Sequence, residues 1–452
     1  MKKIFQYIML AVVTIVMASC TSDIEEPTAT TGKSNVQLVV GEFPAFGDSQ
    51  TRAIGTPDEG KTSWAEGDEL LLVIDNTFYG KQYATFTYND KSWKLTSGEL
   101  VYREGDPAYI PHVYYAPNYK WEAGKLVLKE GKAAGTDEYI EGKANITPNG
   151  QGINVSFAKA TRNYSRLRIA TMPNKQITVD TEYFTPAGSS DMEQKGNYTL
   201  TSDEKGNACL YGTFENNSEV TVKYRGATLK TYKFSKETEN AKSYALDATV
   251  ISANSAEEIK SAIKQEVANS KTAIILNLAS DAGDNEFKTI REAFKNVQDA
   301  TIDLTLIGCK EIPADGLKEL KALKSIFLPD VTKIGMNALS RCVYLEEICA
   351  PNVSTIDERA FAGFIMLKKI TLGELTDVRG EANSGGGIFD DDNWTPYIDL
   401  YLPKNQEVMK GEFDENSNQY IWKPTGEKYF ASPDYDNGIF LGYQFNSVKS
   451  WE

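Results

Sequence analysis

Histidine is almost missing from this chain of 452 residues, which holds only His112. Catalytic triads, histidine proton relays and most zinc sites need an imidazole beside other reactive groups. One histidine therefore argues against an enzyme of those kinds. His112 lies in Ala108-Tyr109-Ile110-Pro111-His112-Val113-Tyr114-Tyr115, a strand-like stretch broken by proline, and reads as a structural residue. Basic charge is also short: 48 Lys and Arg stand against 63 Asp and Glu, a formal net charge of −15. Nucleic-acid phosphates demand a basic face, so nucleic acid is not the expected partner. The five cysteines, Cys20, Cys209, Cys309, Cys342 and Cys349, are too few in so long a chain to form a disulfide framework. After Cys20 no apolar run has membrane-spanning length. No P-loop, G-x-S-x-G, Rossmann glycine or paired-cysteine motif occurs, so no cofactor and no metal is expected. Only carboxylate pairs, which meet in the fold and leave no trace in sequence, stay open as enzyme chemistry.

The N-terminus supplies an address. Met1 to Lys3 are basic, Ile4 to Val16 are apolar, and Met17-Ala18-Ser19-Cys20 follow. The pattern is that of an export signal, with an apolar run too short to stay as a membrane helix. The last four residues resemble a bacterial lipobox. The resemblance implies cleavage before Cys20, acylation of its thiol, and a mature chain anchored by lipid in the outer membrane. Several acyl chains make such an anchor stable. The acidic segment Thr21-Ser22-Asp23-Ile24-Glu25-Glu26-Pro27 resembles the export tag of surface lipoproteins in Bacteroides-type bacteria, which implies an outward-facing protein. Its composition also suits a flexible tether over residues 20–35. The plainer alternative is an ordinary secretory signal with a chance cysteine.

Removing residues 1–19 leaves 452 − 19 = 433 residues, enough for about three domains. From Val36 the chain reads as short strands: Val36–Val40, Glu69–Ile74, Tyr83–Tyr88, Lys125–Leu128 and Ile153–Phe157. Turn signals such as Asn89-Asp90 and Thr147-Pro148-Asn149-Gly150 punctuate them. Further strands are expected around Leu167–Ile169, Gln176–Val179, Ser218–Tyr224 and Thr231–Phe234, with no helix before Leu246. Many short strands of this kind predict an all-β sandwich fold.

Particular words recur in this half. Thr51-Arg52-Ala53 precedes Trp64-Ala65-Glu66-Gly67-Asp68-Glu69-Leu70, and Tyr114-Tyr115-Ala116-Pro117 comes later. This order resembles the fimbrillin-like family of surface and pilus proteins. The resemblance implies two tandem transthyretin-like sandwiches, one over residues 36–158 and a second over 159–252. It also implies a protease cut after Arg52, which would release the anchored strand and let a neighbouring fimbrillin-like subunit add its own. Read without the family, the Arg52 segment is an exposed loop, Gly67-Asp68 is a tight turn, and Trp64 covers the core beside it.

The last part of the chain changes character. Ser255-Ala256-Glu257-Glu258 is a capping box, with Glu258 expected to return to the Ser255 amide, and an apolar helical stripe follows. Then Leu323, Ile326, Leu328, Val331 and Ile334 recur at one constant offset as Leu345, Ile348, Ala350, Val353 and Ile356. The same step extends back to Leu304 and forward to Ile370 and Val378. A period of about 22 residues with paired apolar positions is the leucine-rich repeat signature. The run from Ile356 to Phe364, with Ala360-Phe361 inside it, resembles the BspA-like repeat of bacterial surface antigens. About three good units are expected within a solenoid over residues 253–403, followed by a β-rich cap over 404–452.

Alternation along the repeat strands then assigns faces. Cys309 and Cys342 fall on buried ladder sites. Asp303, Thr305, Ser325, Phe327, Glu347, Cys349, Lys369 and Thr371 fall outward and make the candidate binding face. The expected function is a surface lipoprotein for adhesion or recognition of an extracellular protein or glycan, with sandwiches as stalk and the repeat face as contact surface. A pilus subunit and a glycan-capture protein are the alternatives, the latter with Trp93, Trp121, Trp394 and Trp422 as platforms. The acidic loops at Asp390–Asn393 and Asp434–Gly438 lack EF-hand spacing and read as solvated.

Overall fold

The computed structural model describes residues 36–48, 60–76, 80–100, 111–149, 152–157, 162–381, 387–389, 395–431 and 437–451. Cys20, the tether, Arg52, Trp394 and most of both acidic loops lie outside these residues. The described chain is mainly β, with α-helices only at Ala256–Ala268 and Asp284–Phe294.

The chain divides into two compact units. The first comprises Met1–Ala45, Glu59–Glu130 and Glu138–Arg162; the second comprises Phe46–Asp58, Gly131–Asp137 and Asn163–Glu452. Two short segments, Phe46–Asp58 and Gly131–Asp137, group with the second unit.

In the first unit a five-stranded antiparallel sheet runs in the order Ser92–Glu99, Gly80–Asn89, Glu69–Asn76, His112–Tyr115, Ile140–Lys143. A three-stranded sheet places Gly152–Phe157 between Val36–Val40, which is parallel to it, and Asn145–Asn149. Alternate residues of both sheets, among them Leu70, Leu72, Phe86, Val113, Ile153, Val155 and Phe157, share one apolar core. Pro148, read as a turn residue, belongs to the strand Asn145–Asn149. That strand is an edge, where a missing N–H costs no ladder bond. Gly67 has φ +86°, and the Ala65 amide donates to Asp68 Oδ2 at 2.7 Å. Trp64 donates from Nε1 to the Gly41 carbonyl at 2.8 Å and meets Phe43 edge-on. His112 pairs with Val73 within the sheet.

The second unit begins with an eight-stranded sheet built mainly from residues 165–247. Its core stacks Phe184 on Phe214 and Phe214 on Phe234, with ring centroids 4.5 and 4.8 Å apart. The strands Glu193–Thr201, Asn207–Phe214 and Lys242–Asp247 are further members of this sheet that the sequence reading does not single out.

The rest of the unit is a second eight-stranded sheet, ordered Ile251–Ser252, Ala273–Asn277, Ile302–Ile307, Leu323–Phe327, Glu347–Ala350, Lys369–Leu372, Asp399–Pro403, Ser447–Trp451. All its neighbours are parallel. The sheet starts at Ile251. The segment after Pro403 contributes strands to two sheets. Ser447–Trp451 closes this one, and the hairpin Glu407–Asp414/Gln419–Lys428 joins a smaller one through Asp377–Arg379. Ser255 caps its helix by accepting from the Glu258 amide at 3.3 Å. The Glu258 carboxylate reaches the Asn254 amide at 2.8 Å, one residue before the amide expected.

Candidate functional site

Each repeat strand is short and alternates, so one set of side chains enters the core and the next stands outward. Leu304, Ile326, Ile348, Ile370 and Leu400 align inward in register and are all buried. Parallel pairing, with one register shift between Ile302 and Asp303, then stacks the outward residues into rows. One row runs Asp303, Ser325, Glu347, Lys369, Asp399, Ser447. The second runs Ile275, Thr305, Phe327, Cys349, Thr371, Tyr401, Lys449. The eight residues singled out in the sequence are therefore brought together on one face.

The rows carry their own electrostatics. Ser325 Oγ donates to Asp303 at 2.6 Å, and Lys369 Nζ pairs with Glu347 at 2.7 Å. That bond to Glu347 holds the Lys369 ammonium above its ordinary range. Asp399 accepts from Ser447 Oγ at 2.5 Å and from Asn446 Nδ2 at 2.7 Å, which keeps its carboxyl below the usual range. Both Lys369 and Lys449 lie over the Tyr401 ring, 5.5 and 5.7 Å from its centroid. Cation–π contacts of this kind hold a ring in place at a solvated surface. Tyr401, Asp399 and Lys449 escape the sequence reading. The alternation of Leu400, Tyr401 and Leu402 signals a strand, but the step from Lys369 to Asp399 is longer than the inner steps such as Glu347 to Lys369.

The other end of the face is partly occupied by the chain itself. Ile307 belongs to the core of the preceding sheet, and Ile275 packs against that core. Phe327 Cζ lies 3.5 Å from where a Cβ on Gly226 would stand. Phe327, expected to be a free contact, is thus half-buried against a hairpin turn. Thr371 on the same row is buried, so the exposed part of the face shifts toward Tyr401 and Lys449.

Burial governs the thiols. It pushes Cys309 and Cys342 up to about 12 and Cys349 up to about 11, from an ordinary 9.0. Neutral thiols are poor nucleophiles. A rise of that size predicts that Cys349 alkylates about 100-fold more slowly in the native protein than in the unfolded chain at neutral pH. Site-resolved mass spectrometry after a timed iodoacetamide pulse checks this; equal rates would show that the thiol is not shielded.

Three of the tryptophans expected as sugar platforms, Trp93, Trp121 and Trp422, are half-buried. Trp93 meets Trp64 edge-on at 5.1 Å, Trp121 lies 5.7 Å from Tyr83, and Trp422 donates from Nε1 to the Gly380 carbonyl at 3.0 Å.

Residues 276–385 match the BspA type leucine rich repeat region, in six copies. That is more than the three units legible in the sequence. Longer steps, from Ala273 to Asp303 and from Lys369 to Asp399, flank the regular ones in the sheet. No curated protein matches the chain. Among solved structures, one of a candidate cell adhesion protein from Bacteroides fragilis is similar at 10% identity with a TM-score of 0.29. It spans 48% of this chain and 93% of that one, and a likeness of that size carries no argument.

Proposed function

We propose that this chain is a lipid-anchored surface protein for adhesion or recognition of an extracellular protein or glycan. In this reading Cys20 carries the anchor in the outer membrane, two transthyretin-like β-sandwiches serve as the stalk, and a leucine-rich-repeat solenoid presents the contacts. The observation that carries the reading is the register of the repeat sheet. It gathers Glu347, Lys369, Cys349, Thr371, Tyr401 and Lys449 from four strands into one mixed polar and aromatic patch. Concave and flat repeat surfaces built this way serve as binding faces, and Tyr with flanking charge is the composition of interface anchors.

The test is binding of the full chain to immobilised extracellular-matrix proteins and to a glycan array, beside the variants Tyr401→Ala and Lys369→Ala. Selective binding that falls about tenfold or more in Tyr401→Ala would support the face as an interaction hot spot. Binding that is unchanged in both variants would remove this face from the proposal.

A second reading, a pilus subunit assembled by strand exchange, has one specific support. Val36–Val40 is an edge strand, and it pairs in parallel with Gly152–Phe157, whose Ile153, Val155 and Phe157 are buried. A cut after Arg52 that released this strand would bare that groove. Intact-mass measurement of the protein from cells separates the readings: a mature N-terminus at Cys20 alone sinks strand exchange.

A further inference from the structure

Asp330 stands at the turn after the strand Leu323–Phe327, where the next repeat carries asparagine: Pro329-Asp330-Val331 against Pro351-Asn352-Val353. Asn352 shows what that position does within the stack. Its Nδ2 donates to the Pro329 carbonyl one repeat back, at 2.6 Å. Asp330 also reaches one repeat back, where Oδ2 accepts from the Gly308 amide at 2.9 Å. Its other oxygen leaves the stack. Oδ1 accepts from the Tyr224 hydroxyl at 3.1 Å and faces the Arg225 guanidinium at 3.0 Å. Arg225 donates as well to the Pro329 carbonyl, at 3.4 Å.

Tyr224 and Arg225 form the tip of the hairpin Glu219–Tyr224/Ala227–Lys233 in the preceding sheet. Gly226 completes that tip at φ +92°, a backbone region that suits glycine, and leaves room for the Phe327 ring. The Asp330 side chain is 4% exposed. A carboxylate so buried is tolerated only when it is paired and hydrogen-bonded, and here its donors come from both sides of one junction. An amide at this site would turn an N–H donor toward donors.

We propose that Asp330 is a latch that fastens the β-sheet region of residues 165–247 to the repeats. The latch makes the two move as one body and sets the limit of the binding face at Phe327. It is a positioning residue, and the inference stands whether or not the strand face binds a partner. The apolar contacts of Ile307 and Ile275, the approach of Phe327 to Gly226 and the connection after Asp247 also join the two regions.

The full chain tests this with Asp330→Asn, Tyr224→Phe, Arg225→Ala and the double variant Asp330→Asn/Tyr224→Phe. Asn352→Ala serves as the control, since it removes an in-stack bond and leaves every donor to the Asp330 carboxylate in place, while the Pro329 carbonyl it vacates still accepts from Arg225. Asp330→Asn should raise proteolytic cleavage within residues 247–255 by about tenfold or more, as expected when a charge-assisted buried bond is lost. Tyr224→Phe and Arg225→Ala should each raise it by less, and adding Tyr224→Phe to Asp330→Asn should add little. Asn352→Ala should leave that cleavage rate unchanged. Hydrogen exchange at the Gly308 amide should rise in Asp330→Asn. If Asp330→Asn does not fold, Arg225→Ala carries the test, because Arg225 is half-exposed and its loss leaves no buried cavity. Unchanged cleavage at 247–255 in the folded variants, or cleavage that rises equally in Asn352→Ala, overturns the latch.

Discussion

Replacing Glu138 by alanine is expected to destabilise the first unit by about 3–5 kcal/mol, a lowering of its melting temperature by roughly 10 °C. Arg162 is the reason. Its side chain is 1% exposed and that of Glu138 4% exposed, so both charges are out of water. The pair is bidentate: Nε donates to Oε2 at 3.0 Å and Nη2 to Oε1 at 2.8 Å. The remaining terminal nitrogen donates to the Pro44 carbonyl, and the guanidinium lies 5.2 Å from the centre of the Phe43 ring. Removing Glu138 leaves a buried cation that cannot shed its proton. The loss is then the desolvation cost of that cation, and it exceeds the net worth of the pair. The same argument sets the control. Replacing both residues by methionine should cost far less than Glu138→Ala alone, because no buried charge remains. Thermal and urea denaturation of the three proteins decides it; a double variant as unstable as the single would show that the pair stabilises by its own attraction.

Phe361→Ala is expected to cost about 3–5 kcal/mol in the second unit. Phe361 is 1% exposed, with Phe389 at 5.5 Å and Phe364 at 6.3 Å between ring centroids. Its amide donates to the Ile388 carbonyl at 2.9 Å, which fixes the turn so that the repeats cannot collapse into the space left. Ala360, fully buried beside it, fails in the opposite sense: a larger side chain there overpacks the core. Leu339, at the same step in the preceding repeat, sets the comparison; Leu339→Ala removes a smaller group and should cost less than Phe361→Ala. Urea midpoints read by far-ultraviolet circular dichroism check both. A Phe361→Ala midpoint equal to that of the parent chain would mean that the ring is not packed as described.

These two sites differ in how far the sequence reveals them. Ala360-Phe361 lies in a periodic ladder, and a constant period with fixed inward positions is visible when the chain is aligned with itself. The rows of the strand face follow from that ladder by alternation alone, which is why Glu347, Cys349, Lys369 and Thr371 fall together on sequence grounds. Glu138 and Arg162 lie in segments with no period, and nothing in either says that they are buried. Asp330 is equally silent. Its substitution for asparagine is visible in the repeat, but its partners Tyr224 and Arg225 come from a hairpin far earlier in the chain. Phe327 is overstated as a free contact for the same reason: strand alternation gives the face a side chain points to, and only tertiary contact shows what else reaches that face. Tyr401 stays hidden because a longer connection breaks the count.

The two ends of the repeat sheet have a consequence for crowding. One end is the two-residue strand Ile251–Ser252, and the other is Ser447–Trp451, with Lys449 exposed at its centre. A very short edge and an edge bearing an ammonium are both poor templates for further backbone pairing. At high local concentration, copies of the chain should therefore stay discrete at these ends and not stack edge to edge into fibres.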